Sequence, residues 1–231
     1  MSVVSPTARA AFAPGVARLS RGARVGERYV LCRPRAVRPR SVVWDGRHRA
    51  LDRECEVELF DAAVAPPDGD IRRTAALEHE AFVRIHDLVV ESGVFVAIVR
   101  PAPFGETLAA RLAQGRKMAV AECAEVLVVV AEALCHALAR GVAFGALSAA
   151  DVVLSVHRGP ALQVGIGRAS VDPSRDGLVL ARALANLFLD AARSRPPSVV
   201  RIAAGPTSGA ATLLGLRHVL ATLATRPASE S

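Results

Sequence analysis

Residues 141–154 read GVAFGALSAADVVL. The stretch opens on a glycine where the long apolar segment Val120–Arg140 stops, which is the position of a helix C-terminal cap. It closes on Val152-Val153-Leu154, a strand signal. Between them lie Phe144, Gly145, Ala146, Leu147 and Ser148, and Asp151 is the one ionisable side chain in the stretch.

Working outward, Val120–Arg140 is apolar on most faces and predicts a helix buried at the centre of a lobe. Downstream, strands at Val152–Val156 and Leu162–Val164 bracket the turn Arg158-Gly159-Pro160. Helices are expected at about 175–193 and 207–224. Upstream, Glu106–Ala113 predicts a short amphipathic helix. Before Pro101–Pro103 the character changes. Short runs rich in Val, Ile and aromatics at 28–33, 41–44, 54–60, 82–90 and 94–99 predict five strands. One helix, roughly Asp70–His79, interrupts them after the breaker Pro66-Pro67-Asp68-Gly69. The expected class is α+β. A five-stranded antiparallel lobe with one helix spans 27–99, a hinge 100–105, and a mainly helical, shortened lobe 106–226. Residues 1–26 read as a flexible Arg-rich tail and 227–231 as a C-terminal tail.

Composition narrows the function. The chain has 231 residues and is 52% apolar, enough for a sizeable core. Of the 29 basic residues, Lys117 is the only lysine, so any mechanism that needs a lysine must use it. Charge is uneven: residues 1–53 carry twelve arginines against three acids, while the rest is slightly acidic. A basic front end suits an anionic partner, and a solvated arginine-rich surface is the competing reading. Cys32, Cys55, Cys123 and Cys135 form no CxxC pair and no metal-ligand spacing, which predicts reduced, buried thiols. His79, His86 and His136 read as core or boundary residues. Cys135 and His136 are helix neighbours that point about 100° apart, so they do not make a nucleophile–base pair. The most apolar run, Met118–Leu138, contains Glu122, Glu125, Glu132 and His136, so no transmembrane segment is expected and the prediction is a cytoplasmic protein.

The element order resembles that of a protein kinase, and seven stretches between about 28 and 193 carry the likeness. RYVLCRPRAVRPRSVVW resembles the first hairpin, and RECEVELF the strand that holds the nucleotide-binding lysine. LEHEAFVRIHDL resembles the stretch after helix C, and VFVAIVRPAPFGETLAARL the fifth strand, hinge and next helix. ALCHALARGVAFGALSAADVVL resembles the helix entering the catalytic loop, LQVGIG the strand before Asp-Phe-Gly, and SRDGLVLARAL the central helix. The chain thus resembles a bacterial, eukaryotic-like serine/threonine kinase domain that has degenerated to a pseudokinase.

What the resemblance implies is an absence of chemistry. Phosphoryl transfer requires a phosphate cradle, a lysine, metal ligands and a carboxylate near the acceptor hydroxyl. At the glycines of the phosphate loop stand Ala36, Arg38 and Ser41, and at the lysine stands Glu58. Phe144, Gly145 and Ala146 replace His-Arg-Asp, Ser148 replaces the catalytic-loop lysine, and Asp151 replaces the second metal ligand. Gly165-Ile166-Gly167 replaces Asp-Phe-Gly, and about eight residues remain of the activation segment. Asp176 matches the central-helix aspartate with a structural role. A reversed ion pair of Glu58 with Arg72 or Arg73 is expected to hold the helix to the sheet. Arg33, Arg35, Arg38 and Arg40 form a candidate contact for an acidic or phosphorylated partner.

The expectation is therefore a non-enzyme without cofactor or metal, a protein-interaction or regulatory scaffold. By resemblance its partners are a true Ser/Thr kinase, acting on tail residues such as Ser5, Thr7, Ser20, Thr222, Thr225 or Ser229, or a forkhead-associated domain. The alternatives are a repurposed nucleotide-binding enzyme, or an anionic-ligand or nucleic-acid binder acting through residues 1–53. The nine aromatics show no RNA-binding signature, which argues against nucleic acid.

Overall fold

The computed structural model describes residues 19–38, 41–91, 95–102, 105–145, 147–155, 159–204 and 213–225. Arg40, Ala146, Ser5, Thr7 and Ser229 lie outside them. The protein is α+β, and its contacts divide it into two compact units: 1–68 with 84–103, and 69–83 with 104–231. Sequence order puts 69–83 inside the first lobe, whereas its contacts join it to the second unit.

The first unit is an antiparallel sheet of six strands, not five: β1 (Arg24–Val25), β2 (Tyr29–Val37), β3 (Ser41–His48), β4 (Arg53–Asp61), β5 (Asp87–Glu91) and β6 (Phe95–Pro101). Their order is β1-β2-β3-β4-β6-β5. The added strand, β1, pairs Arg24 with Val30 and Val25 with Tyr29. Two residues are too few to show alternation, so this segment read as part of the tail. The strand expected at 82–90 shortens to β5, and Phe82 bridges Leu162 in the second unit. Along β4, Cys55, Val57 and Leu59 turn one way and form a core with Leu31, Trp44 and Val99. Glu54, Glu56 and Glu58 turn the other way, as a period of two requires.

The ends of the sheet meet. The Tyr29 hydroxyl donates to Asp87 at 2.8 Å, Arg28 reaches the same carboxylate at 2.8 Å, and Gly26 lies against Val89. Burial first, and then the Asp87 carboxylate, push the Tyr29 phenol up to about 12. Tyr29→Phe should cost about 1 kcal/mol, because Asp87 keeps Arg28 as a partner. Urea unfolding followed by the fluorescence of Trp44, the single tryptophan, reads this unit; an unchanged midpoint would deny the bond any role.

The second unit contains α1 (Asp68–Ala75), β7 (Glu106–Thr107), α2 (Leu108–Ala113), α3 (Val120–Ala139), β8 (Val142–Ala143), β9 (Val152–Ser155), β10 (Gly159–Leu162), β11 (Arg168–Ala169), α4 (Pro173–Ala191), α5 (Pro197–Ala204) and α6 (Leu213–Ala224). As its composition predicts, α3 is the central element, with Cys123, Leu127, Val130, Leu134 and Ala137 fully buried. It stops at Gly141, whose N–H bonds the Leu138 carbonyl at 2.9 Å. From α4, Leu180, Leu184 and Phe188 are fully buried against the same core; each such side chain contributes roughly 1.5–3 kcal/mol. The sequence did not predict α5. Pro196-Pro197 reads as a breaker, yet proline in a first helical turn gives up only an N–H with no helical partner.

Candidate functional site

The charged face of β4 is buried at Glu56 and Glu58, while Glu54 stays exposed. Glu56 is 2% and Glu58 1% exposed, and Arg100 on β6 is 2% exposed. Register places Glu56 directly opposite Arg100, and Glu58 opposite Val43 on β3. Directly opposite residues share a face, so these charges collect on one side of the sheet.

They form an alternating chain. Arg33 donates to Asp45 at 2.5 Å. Arg35 stands 4.0 Å from Asp45 and 3.2 Å from Glu56. Arg100 lies 3.6 Å from Glu56 and 2.7 Å from Glu58. Arg38 closes the row at 3.0 Å from Glu58, which also accepts the Ser41 hydroxyl at 2.7 Å. Burial alone would raise the Glu58 carboxyl. The Arg100 and Arg38 guanidiniums, with the bonds from Arg100 and Ser41, outweigh it and hold the group below its ordinary 4.5.

This geometry corrects one expectation and bears on a second. The partners of Glu58 are Arg100, Arg38 and Ser41, in place of Arg72 or Arg73; Arg73 pairs with Asp70 on its own helix at 2.5 Å. The described arginines of the first hairpin also have partners, although Arg33 bonds through Nε and stays 81% exposed along its side chain. Arg33, Arg35 and Arg38 are each already bonded to a carboxylate of the sheet. Ala36 lies in β2 opposite Val43 and makes no glycine-like turn. Sequence reading missed Glu56 and Arg100. The signal was there: a lone arginine inside the apolar run FVAIVRP, and a second glutamate at even spacing from Glu58.

In the second unit, the loop 141–154 is filled by packing. Phe144 is buried, its ring 5.5 Å from Phe82. Gly145 is exposed and Leu147 buried. Asp151 accepts the Ser148 N–H and hydroxyl, both at 2.8 Å, and so caps a single 3-10 turn. Gly165 and Ile166 are half-buried. Gly167 is held by Thr74, whose hydroxyl accepts its N–H at 3.0 Å. A side chain there would run into Val142 and Phe144, so this close approach requires glycine. Asp176 accepts from Ser170 at 2.7 Å and from Arg168, fastening β11, which pairs with β8 just before the loop.

Other chemistry is poorly served. Burial pushes the Cys55 thiol up to about 11 and that of Cys123 to about 12, and raises Cys135, so none is poised as a thiolate. Among the described residues no three His, Cys, Asp or Glu side chains gather as a metal site. No described helix is long and apolar enough to cross a membrane. No protein-family model and no curated protein matches this chain.

Proposed function

We propose that this chain is a kinase-like domain without catalysis that works as a protein-binding or regulatory module. One observation carries the reading. At the position that resembles the nucleotide-binding lysine, Glu58 is buried, anionic and already bonded by Arg100, Arg38 and Ser41. A triphosphate brought to such a carboxylate meets repulsion where a kinase supplies attraction. Its neighbouring arginines cannot turn to the phosphates without leaving buried carboxylates unpaired. Asp151, engaged in capping a turn, and the packed Phe144 and Gly167 support the same conclusion: these positions keep shape and have given up reactivity. Partners by this reading are proteins, a true Ser/Thr kinase or a forkhead-associated domain among them.

ATP with Mg²⁺ or Mn²⁺ tests the proposal. A site filled to 100 times its Kd adds about 2.7 kcal/mol of stability. For a chain of this size that is a rise of roughly 5–10 °C in melting temperature. The expected result is no shift at millimolar nucleotide; a rise of that size would return the chain to the nucleotide-binding enzymes.

A further inference from the structure

Away from those positions, the second unit holds a cavity of about 730 Å³. Its walls come from the C-terminal half of α3, the first turns of α4 and α6, and the segment after α1. The volume lies within the range of small-molecule sites. Leu138, Pro173, Leu213 and Leu214 supply apolar wall, and Leu214 is 62% exposed.

Gly177 is the first sign that the space is kept open. It lies buried inside α4, where glycine weakens a helix relative to alanine. Nothing in the packing demands it. An added Cβ would lie 3.6 Å from Leu138 and 4.0 Å from Leu213, both ordinary contacts. What an alanine would change is the cavity wall.

The polar groups give the second sign. His136 lines the cavity, and its Nε2 is buried with no hydrogen-bond partner among the described residues. His79, its ring 5.6 Å from that of His136, accepts the Ala81 N–H on Nδ1 at 3.2 Å. In the neutral ring this puts the proton on Nε2 and makes it a donor. Arg217 uses Nε to bond Glu132 at 3.1 Å, and its terminal N–H groups remain as further donors. The acid in the wall, Glu132, already accepts from Arg217 through Oε1, which leaves the terminal N–H groups of Arg217 and the Nε2–H of His79 as donors in the wall.

We propose that this cavity binds a small amphipathic carboxylate: an apolar, ring-sized body against the leucines and Gly177, with its carboxylate accepting from Arg217 and the imidazoles. The sequence assigned His79 and His136 to core or boundary packing. Their place in the wall makes them ligand contacts, and the inference stands independently of the kinase resemblance.

Naphthalene-2-carboxylate is the probe, titrated into the full chain by calorimetry and by saturation-transfer NMR, with 2-(aminomethyl)naphthalene and 2-methylnaphthalene as comparisons. Saturable one-to-one binding is expected, tighter for the carboxylate than for the amine. Gly177→Ala should raise the melting temperature yet weaken the carboxylate at least about tenfold, the effect of a methyl group in a filled pocket. Because that variant is expected to be the more stable, lost binding cannot come from misfolding. Arg217→Gln should weaken the carboxylate and leave 2-methylnaphthalene unchanged. No saturable binding of the carboxylate, no preference for it over the amine, or equal affinity in Gly177→Ala would each overturn the proposal.

Discussion

Glu58→Leu should lower the stability of the first unit by roughly 3–5 kcal/mol, the cost of removing one member of a buried ion pair. Arg100, 2% exposed, would lose its 2.7 Å bond to Glu58 and keep Glu56 at 3.6 Å. Arg38 is 29% exposed along its side chain and can turn to water, so the loss falls on Arg100. The expected drop in melting temperature is roughly 10 °C. Joint replacement, Glu58→Met with Arg100→Met, should recover most of it, since apolar side chains of similar volume replace a buried pair without desolvating charge. The pH dependence has a definite sign. A carboxylate held below its ordinary 4.5 adds stability that is complete above that value and is lost as pH falls through the folded-state pKa. Acid unfolding of the wild type should therefore steepen below about pH 4.5, and Glu58→Leu should flatten that limb. Urea unfolding by Trp44 fluorescence measures both effects. A loss under 1 kcal/mol for the single variant would mean that the buried network adds little to stability.

Gly105→Ala should cost roughly 2–5 kcal/mol, from backbone strain and overpacking together. Gly105 has φ of +147°, a region that side chains rarely adopt. A Cβ there would fall on the Leu154 carbonyl oxygen and 2.9 Å from its carbon, and backbone does not yield as a side-chain tip does. The contact sits where β7 pairs with β9, Glu106 opposite Leu154, so the variant must open that pairing or shift the β9–β10 hairpin. Circular dichroism at 222 nm during thermal melting reads the helical second unit. A melting temperature within 1–2 °C of wild type would show that the hairpin moves freely and that the close approach is not required.

The two units differ in how much of each was legible. Strands β2, β3, β4 and β6, helices α3 and α4, and the stop at Gly141 followed from periodicity and breakers, because each is long enough to repeat its pattern. Two-residue β1, β7, β8 and β11 carry no such pattern; pairing creates them, with a partner strand four to six residues on for β1 and far along the chain for β7, β8 and β11. The helix α5 was missed because its prolines read as an end when they form a beginning. At the candidate site, Glu58 itself was plain in the sequence. Its partners were not. Arg72 and Arg73 were the obvious guess from helix position, whereas strand pairing brings Arg100 and Arg38 to the carboxylate.

The sequence by itself determined the class of structure, α+β with a buried central helix. It also determined the absence of a lysine anywhere but position 117, and of a second carboxylate beside Asp151 in the loop 141–154. These are matters of composition and local pattern, which no packing can alter. Only the tertiary structure decided what the remaining charges do. The alternation of β4 assigns Glu56 and Glu58 to one face but does not say whether that face meets water. Folding buries it, and a carboxylate taken from water at 1% exposure must find cations. Two arginines that read as part of a free basic patch, Arg35 and Arg38, are among those cations, with Arg100. The loop 141–154 likewise proved to be held from outside itself, by Phe82 on Phe144 and by Gly167 against Val142 and Phe144.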